Sequence, residues 1–421
     1  MTTTTGPLAR RLGTGDAVVV GLCAMVGAGV FSVWAPAAEA AGSGLLVGLA
    51  CAALVATCNA VSSAQLAMTY PTSGGTYVYG REVLGEWWGF LAGWSFVVGK
   101  TASCAAMAAT FAAYAVPGSA WVQRGAAAAA VVALTAAGLG GITRTATLAR
   151  ILLGLTLIVL VGAVVVSWGS DPSTPDLALP GGAYGVLQSA GLLFFAFAGY
   201  ARIATLAEEV RRPEMLGRAV LVALGIAILL YAAVAVALLA VLGDDLAESA
   251  TPVVAAVEEA GAGWAAPVVR VGAAAAALGA LLALLAGVSR TTLAMARHRD
   301  LPGALAAVEP AHQVPRNAQL AVSAAVVVLV LVADLRSAIG FSSTGVLVYY
   351  AVANLSALRQ PAAERRWPRA VNVVGLTGCL VLVATLPWTS LVVGLVVLAT
   401  GVAGRLLLRR EVRREVRHPE V

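Results

Sequence analysis

Residues 194–213 read Phe-Phe-Ala-Phe-Ala-Gly-Tyr-Ala-Arg-Ile-Ala-Thr-Leu-Ala-Glu-Glu-Val-Arg-Arg-Pro, which is an apolar helix, an interruption of small residues and an abrupt charged end. The interruption at residues 196–200 frees backbone donors and acceptors in the middle of an apolar span. Lipid does not tolerate such groups unless they face protein or a water-filled site. A broken membrane helix therefore indicates a binding site within the membrane.

The composition indicates an all-α integral membrane protein. Of the 421 residues, 60% are hydrophobic and only 11% are charged, which leaves too little polar surface for a soluble domain. The five cysteines fall in apolar runs, so we expect neither a disulfide framework nor a metal site. The net charge of +6 comes from arginines that flank the apolar runs, so we predict no nucleic-acid partner and no cofactor.

Windows of about 20 apolar residues predict twelve transmembrane helices. They cover residues 16–40, 44–67, 86–115, 125–142, 147–168, 186–207, 217–243, 264–295, 317–333, 337–358, 371–386 and 388–408. With both termini cytoplasmic, nearly all arginines lie in cytoplasmic segments, as the positive-inside rule requires. The predicted location is the inner (plasma) membrane, where the basic segments meet anionic lipid. The sequence makes no prediction of the oligomeric state.

The N-terminal region has two interpretations. Arg10 and Arg11, followed by an apolar run, resemble a secretory signal peptide. The run is longer than the usual apolar region of about 7–15 residues, it contains a glycine-rich interruption, and further spans follow. We therefore expect it to be retained as the first transmembrane helix.

The glycine-rich interruption in the first span is Gly27-Ala28-Gly29. Two glycines two residues apart permit backbone conformations that a helix forbids, and they leave bare N–H groups where a ligand carboxylate can bind. Small residues can equally serve close helix packing. Two interruptions at corresponding places in the two halves of the chain favour the substrate site of a transporter.

Several ordered motifs resemble the amino acid, polyamine and organocation transporter superfamily. Residues 27–31 (GAGVF) are similar to its first-helix signature, residues 70–77 (YPTSGGTY) to the loop after its second helix, and residues 89–94 (GFLAGW) to its third-helix entry. Residues 194–213 resemble its sixth helix, and motifs within residues 289–318 resemble the segment between its eighth and ninth helices. The resemblance covers about residues 12–358.

The resemblance implies a leucine-transporter type of fold with two five-helix inverted repeats, two C-terminal helices, and breaks in helices 1 and 6. The repeats would cover residues 12–168 and 186–358 of a transporter core at residues 1–358. Two peripheral transmembrane helices at 359–408 and a charged cytoplasmic tail at 409–421 would follow. The implied activity is transport by alternating access, not enzymatic catalysis.

The resemblance also places a substrate between the two breaks. The substrate's carboxylate would meet the backbone amides near Ala28 and Gly29, and its side-chain pocket would be shaped or gated by Phe197 and Tyr200. Its amino group would meet the carbonyls around Met25, Val26, Ala196 and Ala198. The physics agrees, because half-helix N-termini favour anions and unwound carbonyls favour cations, and an amino acid carries both charges. The predicted substrate-binding residues are Met25, Val26, Gly27, Ala28, Gly29, Ala196, Phe197, Ala198 and Tyr200.

Lys100, the one lysine in the sequence, is predicted near mid-membrane, about 14 residues or 21 Å into the third span at 1.5 Å per residue. Burial disfavours the charged form of an amine, so Lys100 is a candidate proton carrier. The alternative is a fixed contact to helix-end carbonyls or to a water cavity. Proton-coupled members of the superfamily often carry a lysine on the fifth helix, where this chain has Thr156 and no ionisable group. Lys100 replaces that lysine, or the Thr156 hydroxyl supports sodium, or coupling is absent.

Arg202 stands just past the interruption in the sixth span. Its planar guanidinium would hold an anionic substrate group, or it would pair with Glu208, Glu209 or Asp16 in an inner gate. We favour the gate because acidic residues lie at that membrane face. No carboxylate lies at mid-depth in any predicted span, which argues against a pocket for a cationic side chain.

The sequence therefore predicts an amino acid permease that imports a small neutral amino acid, by proton symport or by exchange. Alternatives are an exchanger of amino acids or polyamines and a membrane sensor that binds its substrate without transporting it. A membrane-embedded enzyme would need a nucleophile with a base, or a metal triad, at one membrane depth. The sequence shows neither arrangement.

Overall fold

The computed structural model describes residues 13–71, 74–140, 146–169, 179–200, 213–309 and 312–417. Every regular element among them is helical, and one isolated antiparallel bridge joins Glu309 and Val314. The predicted all-α class is therefore confirmed for this part of the chain.

The described residues contain the following α-helices, given in chain order. They are α1 (Thr14–Met25), α2 (Gly29–Ser32), α3 (Trp34–Ala41), α4 (Leu45–Thr69), α5 (Gly75–Leu84), α6 (Glu86–Ala115), α7 (Ala120–Leu139), α8 (Ala146–Trp168), α9 (Gly182–Phe197), α10 (Leu216–Leu242), α11 (Pro252–Glu259), α12 (Ala266–Arg297), α13 (Arg316–Val332), α14 (Leu335–Arg359), α15 (Arg369–Thr385) and α16 (Trp388–Arg417).

Length and hydropathy identify a multi-pass membrane protein. Within the described ranges, nine helical stretches are long and apolar enough to cross a membrane. Three shorter apolar helices, α9, α13 and α15, lie where the sequence predicts the sixth, ninth and eleventh spans. The total of twelve spans and the inverted repeat stay predictions.

The long helices α6 and α14 cross in backbone contact. A Cβ atom added at Gly99 would lie 3.0 Å from the carbonyl oxygen of Ser342, and one added at Gly345 would lie 2.7 Å from that of Ser95. Close approach through small residues is the usual source of helix association in membranes, because packing rather than water exclusion drives it. The crossing holds Lys100, next to Gly99, in the protein interior.

A buried charge cluster joins three distant parts of the chain at one end of the helices. The Asp300 carboxylate accepts hydrogen bonds from the Tyr77 hydroxyl at 2.8 Å, from Arg81 at 3.0 Å and from Arg405 at 2.7 Å. The side chains of Asp300 and Arg405 are both fully buried. The Arg405 guanidinium also lies 4.4 Å from the centroid of the Trp87 ring, close enough for a cation–π interaction. The cluster anchors α16 to α5 and to the segment after α12.

Tyr77 is the neutral donor of this cluster. Burial and the negative charge of Asp300 both raise the pKa of the Tyr77 phenol, because each disfavours the phenolate. The phenol therefore stays protonated and continues to donate its hydrogen bond.

Replacing Arg405 by methionine should lower the free energy of unfolding by about 3 kcal/mol, the lower end of the range for breaking a buried ion pair, because Arg81 still faces Asp300. Thermal unfolding of the purified protein in detergent measures the loss. Arg409→Met, one helical turn further along α16, is the matched control. Its partner Glu86 is 56% exposed, and exposed pairs contribute little. Equal losses in both variants would contradict the anchoring role of the Asp300 cluster.

Candidate functional site

The first helix breaks within the interruption that the sequence indicates. α1 ends at Met25, and Val26 leaves the helical region with φ −82° and ψ 65°. α2 begins at Gly29, and Val33 keeps helical angles of φ −82° and ψ −18°, so α2 and α3 continue as nearly one helix. Between the halves, the Gly27 N–H turns back to the carbonyl oxygen of Met25 at 2.9 Å. The break therefore covers residues 26–28.

The sixth predicted span also loses its helical course at the expected place. α9 ends at Phe197, and residues 198–200 form a turn. The N–H groups of Ala198 and Tyr200 face the carbonyl oxygens of Phe195 and Phe197, each at the long distance of 3.4 Å. The described part of this span thus ends in weakly paired backbone.

The two breaks pack directly against each other. A Cβ atom added at Gly29 would lie 2.9 Å from the Cα of Ala196, and one added at Gly199 would lie 2.1 Å from the carbonyl oxygen of Ala24. All nine predicted substrate-binding residues are buried. The structure therefore brings the residues of both interruptions into one buried region.

Tyr231 of α10 connects the two breaks. Its hydroxyl lies 2.8 Å from the carbonyl oxygen of Met25 and 3.1 Å from that of Ala196. Carbonyls at the end of a helix have no partner within the helix, and one phenolic proton is shared between these two. The Tyr231 ring also packs on Phe197, with 5.0 Å between the centroids. Tyr231 therefore occupies two of the carbonyls, those of Met25 and Ala196, that the resemblance assigns to the substrate's amino group.

Lys100 contacts the sixth-helix break. Its Nζ donates to the carbonyl oxygen of Ala198 at 3.1 Å, and the Tyr350 hydroxyl faces the same oxygen at 3.4 Å. Tyr350 in turn stacks on Tyr200, with 4.9 Å between the ring centroids. A buried amine needs such acceptors. In this conformation Lys100 makes a contact to a helix-end carbonyl, one of the two roles that the sequence leaves open.

Thr156 lines a small cavity between α1, α8 and α12, with room for about one water molecule. Its hydroxyl donates to the carbonyl oxygen of Leu152 at 2.7 Å. Among the described residues the lining of the cavity consists of Cys23, Val26, Leu152, Leu153, Thr156, Ala276 and Ala280, and none of these is acidic or basic. A bound ion or water molecule in this cavity would meet the Thr156 hydroxyl but no charged side chain among these residues.

Ion pairs hold the outer ends of the two halves of the first helix. Near the start of α1, Asp16 pairs with Arg150 of α8 at 2.6 Å. Near the end of α3, Glu39 pairs with Arg336 at the start of α14. Their side chains are 31% to 53% exposed, so each pair contributes little to stability.

The predicted gating residues Arg202, Glu208 and Glu209 lie outside the described residues. Asp16, a candidate partner of Arg202, pairs with Arg150 among those that the structure describes.

Two tyrosines at the site were not singled out by sequence. Tyr231 and Tyr350 each stand within an apolar span, and a hydroxyl there needs a partner. That requirement is the signal available in the sequence. The identity of the partner depends on how distant helices pack.

Comparison with known proteins extends these observations. A sequence profile described as "Amino acid permease" matches residues 12–404. An uncharacterised transporter of Mycobacterium tuberculosis is 57% identical over 412 residues, which cover 96% of this chain and 93% of that protein. The branched-chain amino acid permease of Bacillus subtilis is 28% identical over 436 residues, covering 96% and 94%. The vacuolar cationic amino acid transporter 4 of Arabidopsis thaliana is 28% identical over 372 residues, covering 82% and 62%.

The contact between the breaks is tested by Gly29→Ala. The added methyl group would meet the Ala196 backbone, and overpacking of this kind costs roughly 1–3 kcal/mol. Gly15→Ala in α1 is the control, because a Cβ atom there meets nothing within 4 Å, and alanine should stabilise the helix by about 0.5–1 kcal/mol. Thermal unfolding in detergent compares them. A Gly29→Ala protein as stable as the Gly15→Ala protein would mean that the breaks do not pack as described.

Proposed function

The chain belongs to the amino acid permease family, and on this basis we propose that it is a secondary transporter that carries a small neutral amino acid across the cytoplasmic membrane by alternating access. The observation that supports this best is the contact between the two helix breaks, with Gly29 against Ala196. Such a contact gathers backbone donors and acceptors in one buried place. A zwitterion is the ligand that uses both.

Substrate binding would exchange one set of partners for another. The N–H groups at the start of α2 would receive the substrate's carboxylate. Its ammonium group would take the carbonyl oxygens of Met25 and Ala196, which the Tyr231 hydroxyl occupies in this structure. Charged hydrogen bonds are stronger than neutral ones, so the ammonium competes well with a phenol.

The charges around the breaks favour a neutral side chain on the substrate. Among the described residues, the buried side chains that carry charge are Lys100, Asp300 and Arg405. Of these, Lys100 contacts a break, and its ammonium would repel a cationic side chain. The similarity to a branched-chain amino acid permease, which covers 94% of that protein, supports a neutral substrate. The similarity to the cationic amino acid transporter covers only 62% of that protein.

Lys100 is the proposed link between protons and the site. Its Nζ holds the carbonyl oxygen of Ala198, and an ammonium donates more strongly than an amine. Loss of the proton would loosen the sixth-helix break, and its return would tighten it. Protonation would then change the geometry that the substrate meets.

The exposed ion pairs at the two ends of the first helix are the proposed gates. Opening the Asp16–Arg150 pair would release α1 from α8, and opening the Glu39–Arg336 pair would release α3 from α14. Pairs this exposed open at little cost. If a covalent cross-link between residues 39 and 336 left transport unchanged, the Glu39–Arg336 pair would not need to open during transport.

Uptake into proteoliposomes tests the proposed function. Purified protein in sealed vesicles should accumulate a small neutral amino acid such as L-alanine or L-valine when the lumen is more alkaline than the medium. Sodium at constant pH should not replace the proton gradient. Uptake that occurs only when the vesicles are preloaded with an amino acid would indicate exchange rather than symport. Binding without flux for every amino acid and amine would contradict transport and favour a sensor.

The role of Lys100 is tested by Lys100→Met. Uptake driven by the pH gradient should fall by at least about tenfold, because the methionine carries no proton, while exchange of labelled for unlabelled substrate continues. Ser103→Ala is the control, since it removes another buried polar group of α6, one that faces Ser342 rather than the break. Unchanged proton dependence in Lys100→Met would assign Lys100 a purely structural role.

A further inference from the structure

A cluster of buried polar side chains lies between α4, α14 and α15. The Asn354 amide donates to Oδ1 of Asn59 at 2.6 Å, and the Ser62 hydroxyl donates to Oδ1 of Asn354 at 2.7 Å. The Asn372 amide donates to the Ser62 oxygen at 2.6 Å. All four side chains belong to fully buried residues. We call Asn59, Ser62, Asn354 and Asn372 the amide network.

The amide network reaches the candidate site through one turn of α14. The Asn354 amide also donates to the backbone carbonyl oxygen of Tyr350 at 2.9 Å. The Tyr350 ring stacks on Tyr200, and its hydroxyl faces the carbonyl oxygen of Ala198. The position of Asn354 is therefore coupled to the residues of the sixth-helix break.

α15 is shaped to accommodate this network. A Cβ atom added at Gly375 would lie 2.3 Å from Oδ1 of Asn354, so any larger residue would displace the amide. One turn further along, the Cys379 thiol approaches Oδ1 of Asn59 at 3.4 Å. α15 therefore supplies two polar contacts, from Asn372 and Cys379, and the space at Gly375 that the Asn354 side chain needs.

Packing alone does not explain such a cluster. Amides buried in an apolar interior are costly unless they are hydrogen-bonded, and Oδ1 of Asn372 has no partner among the described residues. Hydrogen bonds between helices help to hold membrane helices together. A network whose members are bonded to one another also specifies one arrangement of its helices.

We propose that the amide network positions the substrate site. Ser62, at its centre, orients Asn354, and Asn354 holds the turn of α14 that presents Tyr350 to Tyr200 and to the Ala198 carbonyl. Ser62 is thus a positioning residue that acts on substrate affinity through α14. The inference rests on the proposed function, because it assigns α4 and α15 a part in binding the transported amino acid.

The sequence provides a matched pair of variants. Ser62→Ala removes the donor to Asn354 and the acceptor for Asn372. Ser63→Ala makes the same chemical change at the next residue, whose buried hydroxyl has no hydrogen-bond partner among the described residues. Binding of radiolabelled L-alanine and L-valine to purified protein should weaken about tenfold in Ser62→Ala, as expected when a buried amide loses its partner. Ser63→Ala should change it less than about twofold. Ser62→Thr, which keeps the hydroxyl, should restore affinity.

Hydrogen exchange tests the amide network without any substrate. Hydrogen exchange of α14 peptides that contain Tyr350 and Asn354 should be faster in Ser62→Ala than in Ser63→Ala. If the wild-type protein binds no amino acid, the proposed function fails while this measurement still tests the network. Equal exchange rates in the two variants, or equal losses of affinity, would overturn the positioning role.

Discussion

The hydroxyl of Tyr231 hydrogen-bonds to backbone carbonyl oxygens where the first and the sixth predicted spans lose their helical course. A helix that is interrupted or ends inside an apolar medium leaves carbonyl groups that must find partners. Tyr231 donates to the carbonyl of Met25 at the first interruption and to that of Ala196 near the end of α9. The carbonyl oxygen of Ala198 likewise accepts hydrogen bonds from Lys100 and Tyr350. In this conformation protein side chains fill the roles that the proposed function gives to the substrate's ammonium group. Under the proposed function, the substrate's ammonium group would have to displace these side-chain donors from the carbonyl oxygens in order to bind.

The charges at the ends of the helices divide into a firm anchor and weak contacts. Asp300 and Arg405 are fully buried, and removing one partner of such a pair is strongly destabilising. The pairs that hold the two halves of the first helix are partly exposed, and pairs of that kind contribute little. The difference in burial suits a firm anchor that joins α5, α16 and the segment after α12, and weaker contacts that hold the two halves of the first helix to α8 and α14. The amide network lies where α4 meets α14 and α15.

Features encoded locally could be predicted, and features that depend on distant pairing could not. The spacing of Gly27 and Gly29 indicates a break in the first helix, because glycine acts on its own backbone, and the apolar runs indicate helices by length alone. The sequence shows a lysine in the third span, but only packing brings Lys100 to the carbonyl of Ala198. Arg405 lies near the end of the last predicted span, and nothing local in the sequence shows that Asp300 receives it. Polar residues such as Ser62 stand out in an apolar span, yet their partners lie hundreds of residues away.

The central claim is that the two breaks form one site for an amino acid, and a structure determined with the transported amino acid bound tests it most directly. We expect the ligand between residues 25–29 and 196–200, with its ammonium group at the carbonyl oxygens of Met25 and Ala196 and with the Tyr231 hydroxyl displaced from them. A ligand bound elsewhere, with the Tyr231 hydroxyl still joining both carbonyls, would contradict the claim.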